Sequence, residues 1–268
     1  MQTHQGHQHP GTALITGASS GIGALYADRL ARRGHDLVLV ARNEARLAQV
    51  AQDIRERSGR EVRIVAADLT DAADLRRVEG LLREDARISM LVNNAGFGAV
   101  TPLLDSDVDA MERMIELNVT ALTRLTYAAA PAFVARGGGT IVNIASIVAI
   151  GVEVLNGVYG ASKAYVLALT QSLHHELAAQ GLRAQAVLPG ATATEFWDVA
   201  GLPHSQLPAE WVMRAEDIVD AALAGLDLGE VVTIPPLQDG DAWVAYDFAR
   251  RGLAEQFRQA TPAPRYAV

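Results

Sequence analysis

The chain has 268 residues, 50% hydrophobic and 20% charged, a balance that excludes a largely disordered protein and allows a sizeable core. Its net charge of −8 and the lack of a basic stripe argue against nucleic acid and against an anionic membrane surface as partners. There is no cysteine, which removes disulfides, zinc–thiolate sites and thiol nucleophiles and fits a reducing, cytoplasmic setting.

The opening residues, MQTHQGHQHP, hold three of the seven histidines. They read as a solvated tail over 1–11 rather than a metal tract, and no metal site is expected. No charged start precedes an apolar core, so no secretory signal is expected. From Thr12 onward strands and helices alternate. Ala13-Leu14-Ile15 is a short apolar run that ends in glycines, followed by an amphipathic segment to Gly34. Leu37–Val40 is a second buried run, after which Asn43 can cap a helix whose Leu47, Val50, Ala51 and Ile54 share one face. Val62–Val65 and Ile88–Val92 repeat the strand pattern, with a helix between them from about 71 to 86. Further strands fall near 140–145, 184–188 and 231–234, and long helices near 108–135, 158–180 and 215–227. The apolar stretch 140–155 is broken by Asn143, Ser146, Gly151 and Glu153, so it does not span a bilayer. Apolar strands alternating with helices predict an α/β protein, a single doubly wound domain with a parallel sheet of about seven strands. That domain covers 12–235, and 236–268 forms its helical extension through Trp243, Tyr246, Phe248 and Leu253.

The first strand runs straight into Thr16-Gly17-Ala18-Ser19-Ser20-Gly21-Ile22-Gly23 and then a helix. Gly17 allows a tight turn, Gly21 lets backbone approach a pyrophosphate, and Gly23 allows close helix–sheet packing. The N-terminus of the helix offers N–H groups and a positive dipole end to phosphates. A second signal lies in the basic residues: 22 of 23 are arginine, and Lys163 is the one lysine. Tyr159 stands four residues before it, so on a helix the two share a face. A phenol ionises near pH ~10, and an adjacent ammonium is expected to lower that value toward working range. Tyr159 can then exchange a proton with an alcohol or ketone oxygen while hydride moves to or from nicotinamide. Ser146, thirteen residues earlier at a strand end, can hydrogen-bond the same oxygen.

With Asn93-Asn94-Ala95-Gly96 after the fourth strand, TGxxxGIG and Tyr159-Gly160-Ala161-Ser162-Lys163 make the chain resemble the short-chain dehydrogenase/reductase family over roughly residues 12–235. The resemblance implies a Rossmann-like fold and a catalytic set of Asn118, Ser146, Tyr159 and Lys163. It gives Asn118 a water that links Lys163 to solvent, where the alternative is a self-satisfied buried amide, and it gives Lys163 the nicotinamide-ribose hydroxyls. The implied cofactor-binding residues are Gly17, Ser19, Ser20, Gly21, Ile22, Gly23, Arg42, Asp68, Leu69, Asn94, Ala95, Gly96, Tyr159, Lys163, Pro189, Gly190 and Thr192. Among them Asp68 contacts adenine or else caps the next helix, Asn94 and Ala95 line the adenosine side, and Thr192 meets the nicotinamide amide.

After the second strand an NAD enzyme usually has an acid; Arg42 stands there instead and can pair with a 2′-phosphate, so NADP(H) is expected, with NAD(H) possible. Ser20 occupies the place where such enzymes often carry a second basic residue. The resemblance also makes 191–213 a variable lid. Its Phe196, Trp197, Leu202, Leu207 and Trp211 suggest a small uncharged carbonyl or alcohol substrate, and a purely structural role is the alternative. Ile234-Pro235-Pro236 departs from the glycine-rich last strand of many tetrameric members, which favours a homodimer over a homotetramer. The expected activity is reversible carbonyl reduction; the rivals are an NAD-dependent alcohol dehydrogenase and a non-catalytic NADP-binding module.

Overall fold

A computed structural model describes residues 10–266 apart from 154, 156 and 203. The histidine-bearing stretch 1–9 lies outside the described residues. Pro10, assigned to the tail by the sequence, is tied down: its carbonyl accepts a 2.7 Å hydrogen bond from the Ser89 hydroxyl.

The chain lays down β1 (Thr12–Thr16), α1 (Gly21–Arg32), β2 (Asp36–Ala41), α2 (Glu44–Ser58), β3 (Val62–Ala66), α3 (Ala72–Glu84) and β4 (Ile88–Asn93). Next come α4 (Val108–Ile115), α5 (Leu122–Ala135), β5 (Gly139–Ile144), α6 (Gly157–Leu177) and β6 (Leu182–Val187). A short α7 (Phe196–Ala200) precedes α8 (Ala215–Leu228), β7 (Val232–Thr233) and α9 (Gly240–Gln256). The seven strands are parallel in the order β3-β2-β1-β4-β5-β6-β7. Strand order reverses direction at β1, which opens a crevice at the carboxyl ends of β1 and β4. Both faces of the sheet are covered. Leu30, Leu47, Leu223 and Leu226 from α1, α2 and α8 meet one face, while Leu75, Val78, Leu125 and Phe133 from α3 and α5 meet the other.

One helix departs from the sequence pattern. The run expected over 108–135 is α-helical only at its ends, and Glu116–Ala121 between them winds as a π-helix. The apolar period persists across the break, so the sequence reads as one helix. The final strand is only Val232–Thr233, shorter than the apolar run suggests. No helix among the described residues is long and apolar enough to cross a membrane.

The chain divides into two compact units at Pro235/Pro236. In the second unit, α9 has no buried residue and exposes Val244, Phe248 and Leu253, while the Trp243 and Tyr246 rings stack at 5.4 Å.

Candidate active site

The glycine loop leaves β1 with Gly17 at φ +65° and enters α1 with Gly21 at φ +54°, both in the region that glycine adopts freely. Below the turn, Asn94 donates to the carbonyls of Thr16 at 3.0 Å and Gly17 at 3.1 Å. The Thr16 hydroxyl accepts from the N–H groups of Asn94 and Ala95, each at 3.0 Å. Thr16 thus acts as a brace, and the signal for it in the sequence is a hydroxyl at the end of a buried strand. A methyl on Gly23 would press into the Gly17 carbonyl, and one on Gly17 would lie 2.9 Å from Ala95 Cα. Above the turn the situation is opposite. Asn43, Asp71, Asp107 and Asp239 cap α2, α3, α4 and α9 through their side chains, but Ser20 makes no side-chain cap on α1. The first-turn N–H groups of half-buried Gly21 and Ile22, with half-buried Ser19 and Ser20 beside them, are therefore left without a side-chain cap, and such a helix start can receive an anion. A dinucleotide pyrophosphate is the kind of anion that such a helix start can hold.

Because the obstacle at Gly23 is backbone rather than a movable side chain, Gly23→Ala is expected to splay α1 from the turn. NADPH affinity should fall at least ~tenfold and the unfolding midpoint should drop with it. Cofactor titration and thermal denaturation check this; unchanged values would mean that the packing is not needed.

The other residues expected on the cofactor side are placed as follows. Arg42 is exposed just past β2 and has no ion-pair partner among the described residues. Asp68 does not cap α3: its carboxylate takes the N–H and hydroxyl of Thr70 at 3.0 and 2.7 Å, and Asp71 is the cap because it aligns with the first-turn N–H groups of Ala73 and Asp74. Leu69 is buried behind it. Gly96 runs so close to the reacting end that a methyl there would lie 2.9 Å from Asn118 Oδ1 and 3.6 Å from Lys163 Nζ. Pro189 accepts from Ile147 N at 3.0 Å, and Gly190 accepts from the Thr192 hydroxyl at 3.0 Å.

Ser146, Tyr159 and Lys163 meet at the end of β5, all buried. Ser146 starts the turn after the strand, its Oγ 3.4 Å from Val148 N and 3.4 Å from the Pro189 carbonyl. Lys163 lies on the Tyr159 face of α6 with Nζ 5.8 Å from the ring centre, and it donates at 2.9 Å to the carbonyl of Ile144, the last residue of β5. The expected lowering of the tyrosine pKa is not what the geometry gives. Burial pushes the Tyr159 phenol up to about 12, opposed by a hydrogen bond from Ser146. Burial also pulls the Lys163 ammonium down to about 8. Desolvation outweighs mutual attraction because both groups sit in the interior and neither charged form is favoured there.

Asn118 occupies the π-helical turn. Its Oδ1 accepts from Phe97 N at 3.1 Å, and its Nδ2 donates to Phe97 O at 2.8 Å and Ser162 Oγ at 3.2 Å. The side chain is thus committed to the loop after β4 and to α6. No cluster of three possible metal ligands occurs among the described residues.

Residues 11–201 match the short chain dehydrogenase family. The chain belongs to that family. It is an oxidoreductase acting on CH–OH groups with NAD(P) as acceptor. An uncharacterized oxidoreductase of Staphylococcus saprophyticus is 38% identical over 215 residues, 80% of this chain and 90% of that protein. Among solved structures, a short-chain dehydrogenase from Sphingobium yanoikuyae in complex with NADPH is 53% identical, covering 96% of this chain and 100% of that one with a TM-score of 0.93. The bulky-bulky ketone specific alcohol dehydrogenase from Comamonas testosteroni is 46% identical over 97% of this chain and 100% of its own, with a TM-score of 0.90.

Three features of this short-chain dehydrogenase escaped the sequence reading. Asn93 and Asn143, neighbours across β4 and β5, are bonded at 2.9 Å and extend to Thr126 and Thr170, which fixes the two strand ends that carry the site. Arg46 on α2 pairs at 2.7 Å with Glu195, just ahead of α7. The segment after β6 is not simply a loop: Thr192 bridges to Met213 at its base, and it holds α7 and two short 3₁₀ turns.

Proposed function

We propose that this enzyme reversibly reduces an uncharged ketone or aldehyde with NADPH, with Tyr159 as the proton donor. The observation that carries the reading is the meeting of Ser146, Tyr159 and Lys163 at the end of β5, with Gly96 beside Lys163. Bound cofactor supplies the hydride. Tyr159 holds a proton firmly at neutral pH, since burial raises its pKa to about 12, and this suits an acid that protonates the developing alkoxide. Ser146 is within hydrogen-bonding reach of the phenol and is placed to share the substrate oxygen with it. Lys163, fixed to Ile144 through one of its three donors, has two left for the ribose hydroxyls. The Asn118 side chain orders the loop that carries Gly96 and Phe97, and its water relay is proposed on the family resemblance alone.

The wall around Tyr159 is apolar, with Phe97, Met111, Met114, Val148 and Phe196 packed together, and the segment 191–213 is its lid. This favours a ketone with hydrocarbon substituents, in line with the ketone specificity named for the Comamonas relative. Consumption of NADPH across a panel of aryl and alkyl ketones tests the activity. An enzyme that binds NADPH and turns over none of them would be a binding module.

The NADPH-bound Sphingobium relative and the exposed Arg42, which has no ion-pair partner among the described residues, support the choice of cofactor. Arg42→Ala is expected to weaken NADPH by about ten- to a hundredfold, the loss of one charge-assisted phosphate contact, while NADH changes little. Equal losses for both cofactors would refute a 2′-phosphate contact. Exposed Val108, Ile115 and Tyr127 on α4 and α5 support a homo-oligomer, with a dimer as the simplest form.

A further inference from the structure

We infer that Phe196 is the residue that sets the width of the substrate subsite beside Tyr159, and that Gly98 is glycine because the Phe196 ring occupies the space over it. The inference rests on the carbonyl-reductase reading above and extends it to specificity. Three separate parts of the chain meet here. Tyr159 comes from α6, Gly98 from the loop after β4, and Phe196 from α7 after β6. The Phe196 and Tyr159 ring centres are 5.7 Å apart at 45°. A methyl on Gly98 would sit 2.5 Å from Phe196 Cζ and 3.2 Å from Tyr159 Cδ2, so the loop backbone closes the third side of the triangle.

The ring is held there rather than resting there. Trp197, edge-on to Phe196 with centres 5.7 Å apart, is buried and donates its indole N–H to the Thr192 carbonyl at 2.9 Å. The far end of α7 is clipped by Val100 N donating to the Ala200 carbonyl at 3.2 Å. A carbonyl carbon delivered to the Tyr159 hydroxyl must send one substituent along this side. The half-buried Phe196 ring is the large apolar group that substituent meets first.

The test compares kcat/KM for phenyl butyl ketone with that for phenyl methyl ketone, using NADPH and four proteins: wild type, Phe196→Ala, Gly98→Ala and the double variant. Binding of NADPH to each reports whether the fold survives. Phe196→Ala is expected to raise the butyl-to-methyl ratio at least ~tenfold, since each extra methylene that finds room is worth about that much. Gly98→Ala alone should lower the ratio, because its methyl crowds the space shared by the Phe196 and Tyr159 rings. In the double variant the ratio should recover to at least the wild-type value, a non-additivity that contact between the two residues requires. An unchanged or reversed ratio in proteins that bind NADPH overturns the assignment while leaving carbonyl reduction in place. A wild type that binds NADPH and reduces neither ketone overturns the underlying reading, and this inference with it.

Discussion

Tyr159→Phe is expected to bind NADPH within about threefold of wild type and to lose at least ~10² in kcat for ketone reduction. The substitution keeps the ring that packs on Phe196 and removes only the hydroxyl. In the proposed mechanism that hydroxyl is the acid, held protonated by burial, and the loss of a positioned general acid typically costs about 10²- to 10⁴-fold. Ser146 cannot replace it. Its own oxygen lies 3.4 Å from both Val148 N and the Pro189 carbonyl, and an aliphatic hydroxyl is a weaker acid than a phenol. Cofactor titration and steady-state kinetics with one good ketone decide the matter. Near-normal turnover would show that the proton comes from elsewhere. The same burial predicts a directional asymmetry, because alcohol oxidation needs the phenolate and should gain more from alkaline pH than reduction does.

A second large effect concerns the lone lysine. Lys163 is charged below about pH 8 in the folded protein, against 10.5 for the ordinary side chain, with burial as the cause. The unfolded chain therefore binds more protons than the folded one between those values, so stability rises with pH across that window. Below about pH 8 the full cost of burying the ammonium is present; above it the cost fades. Lys163→Met keeps a chain of similar length without a charge. It should be inactive, yet more stable than wild type at pH 7 by on the order of 2 kcal/mol, with the gap closing as pH rises toward 9.5. Measurements should stop there, because Tyr159, raised from 10.0 to about 12, contributes a loss of stability in the opposite direction above pH 10. Urea unfolding of the two proteins at several pH values checks this. A gap that stays constant with pH would mean that the ammonium is not desolvated.

Much of this was legible because it is local. The strand runs, the glycine turn, the Asn43 cap and the Tyr159–Lys163 spacing each depend on residues within a few positions of one another. What the sequence concealed depends on partners far apart in the chain. Asn93 reads as the start of the Asn-Asn-Ala-Gly motif and Asn143 as a polar break in an apolar stretch, until the β4–β5 register sets them side by side. Arg46 and Glu195 are 149 positions apart, and each alone is an ordinary surface charge. Four-residue spacing reveals that Tyr159 and Lys163 are close but says nothing of the solvent they lose, which is why the sign of the tyrosine shift came out reversed. Phe196 and Trp197 were visible as aromatics in the lid. Only the fold turns one toward Tyr159 and the other toward Thr192.

The π-helical turn at Glu116–Ala121 makes length, rather than composition, the guarded quantity in that part of the chain. A turn with i→i+5 bonding holds about one residue more than its α-helical equivalent, so α4 and α5 are out of phase by about 100°. Excising one residue there would improve the helix as a helix, yet it would rotate Met114 away from the Tyr159 wall or Leu125 away from the sheet. Exchanges at exposed Glu116 or Thr120 disturb neither face. Across relatives, the exposed positions of this stretch should therefore drift in spelling while Asn118 and the residue count stay constant.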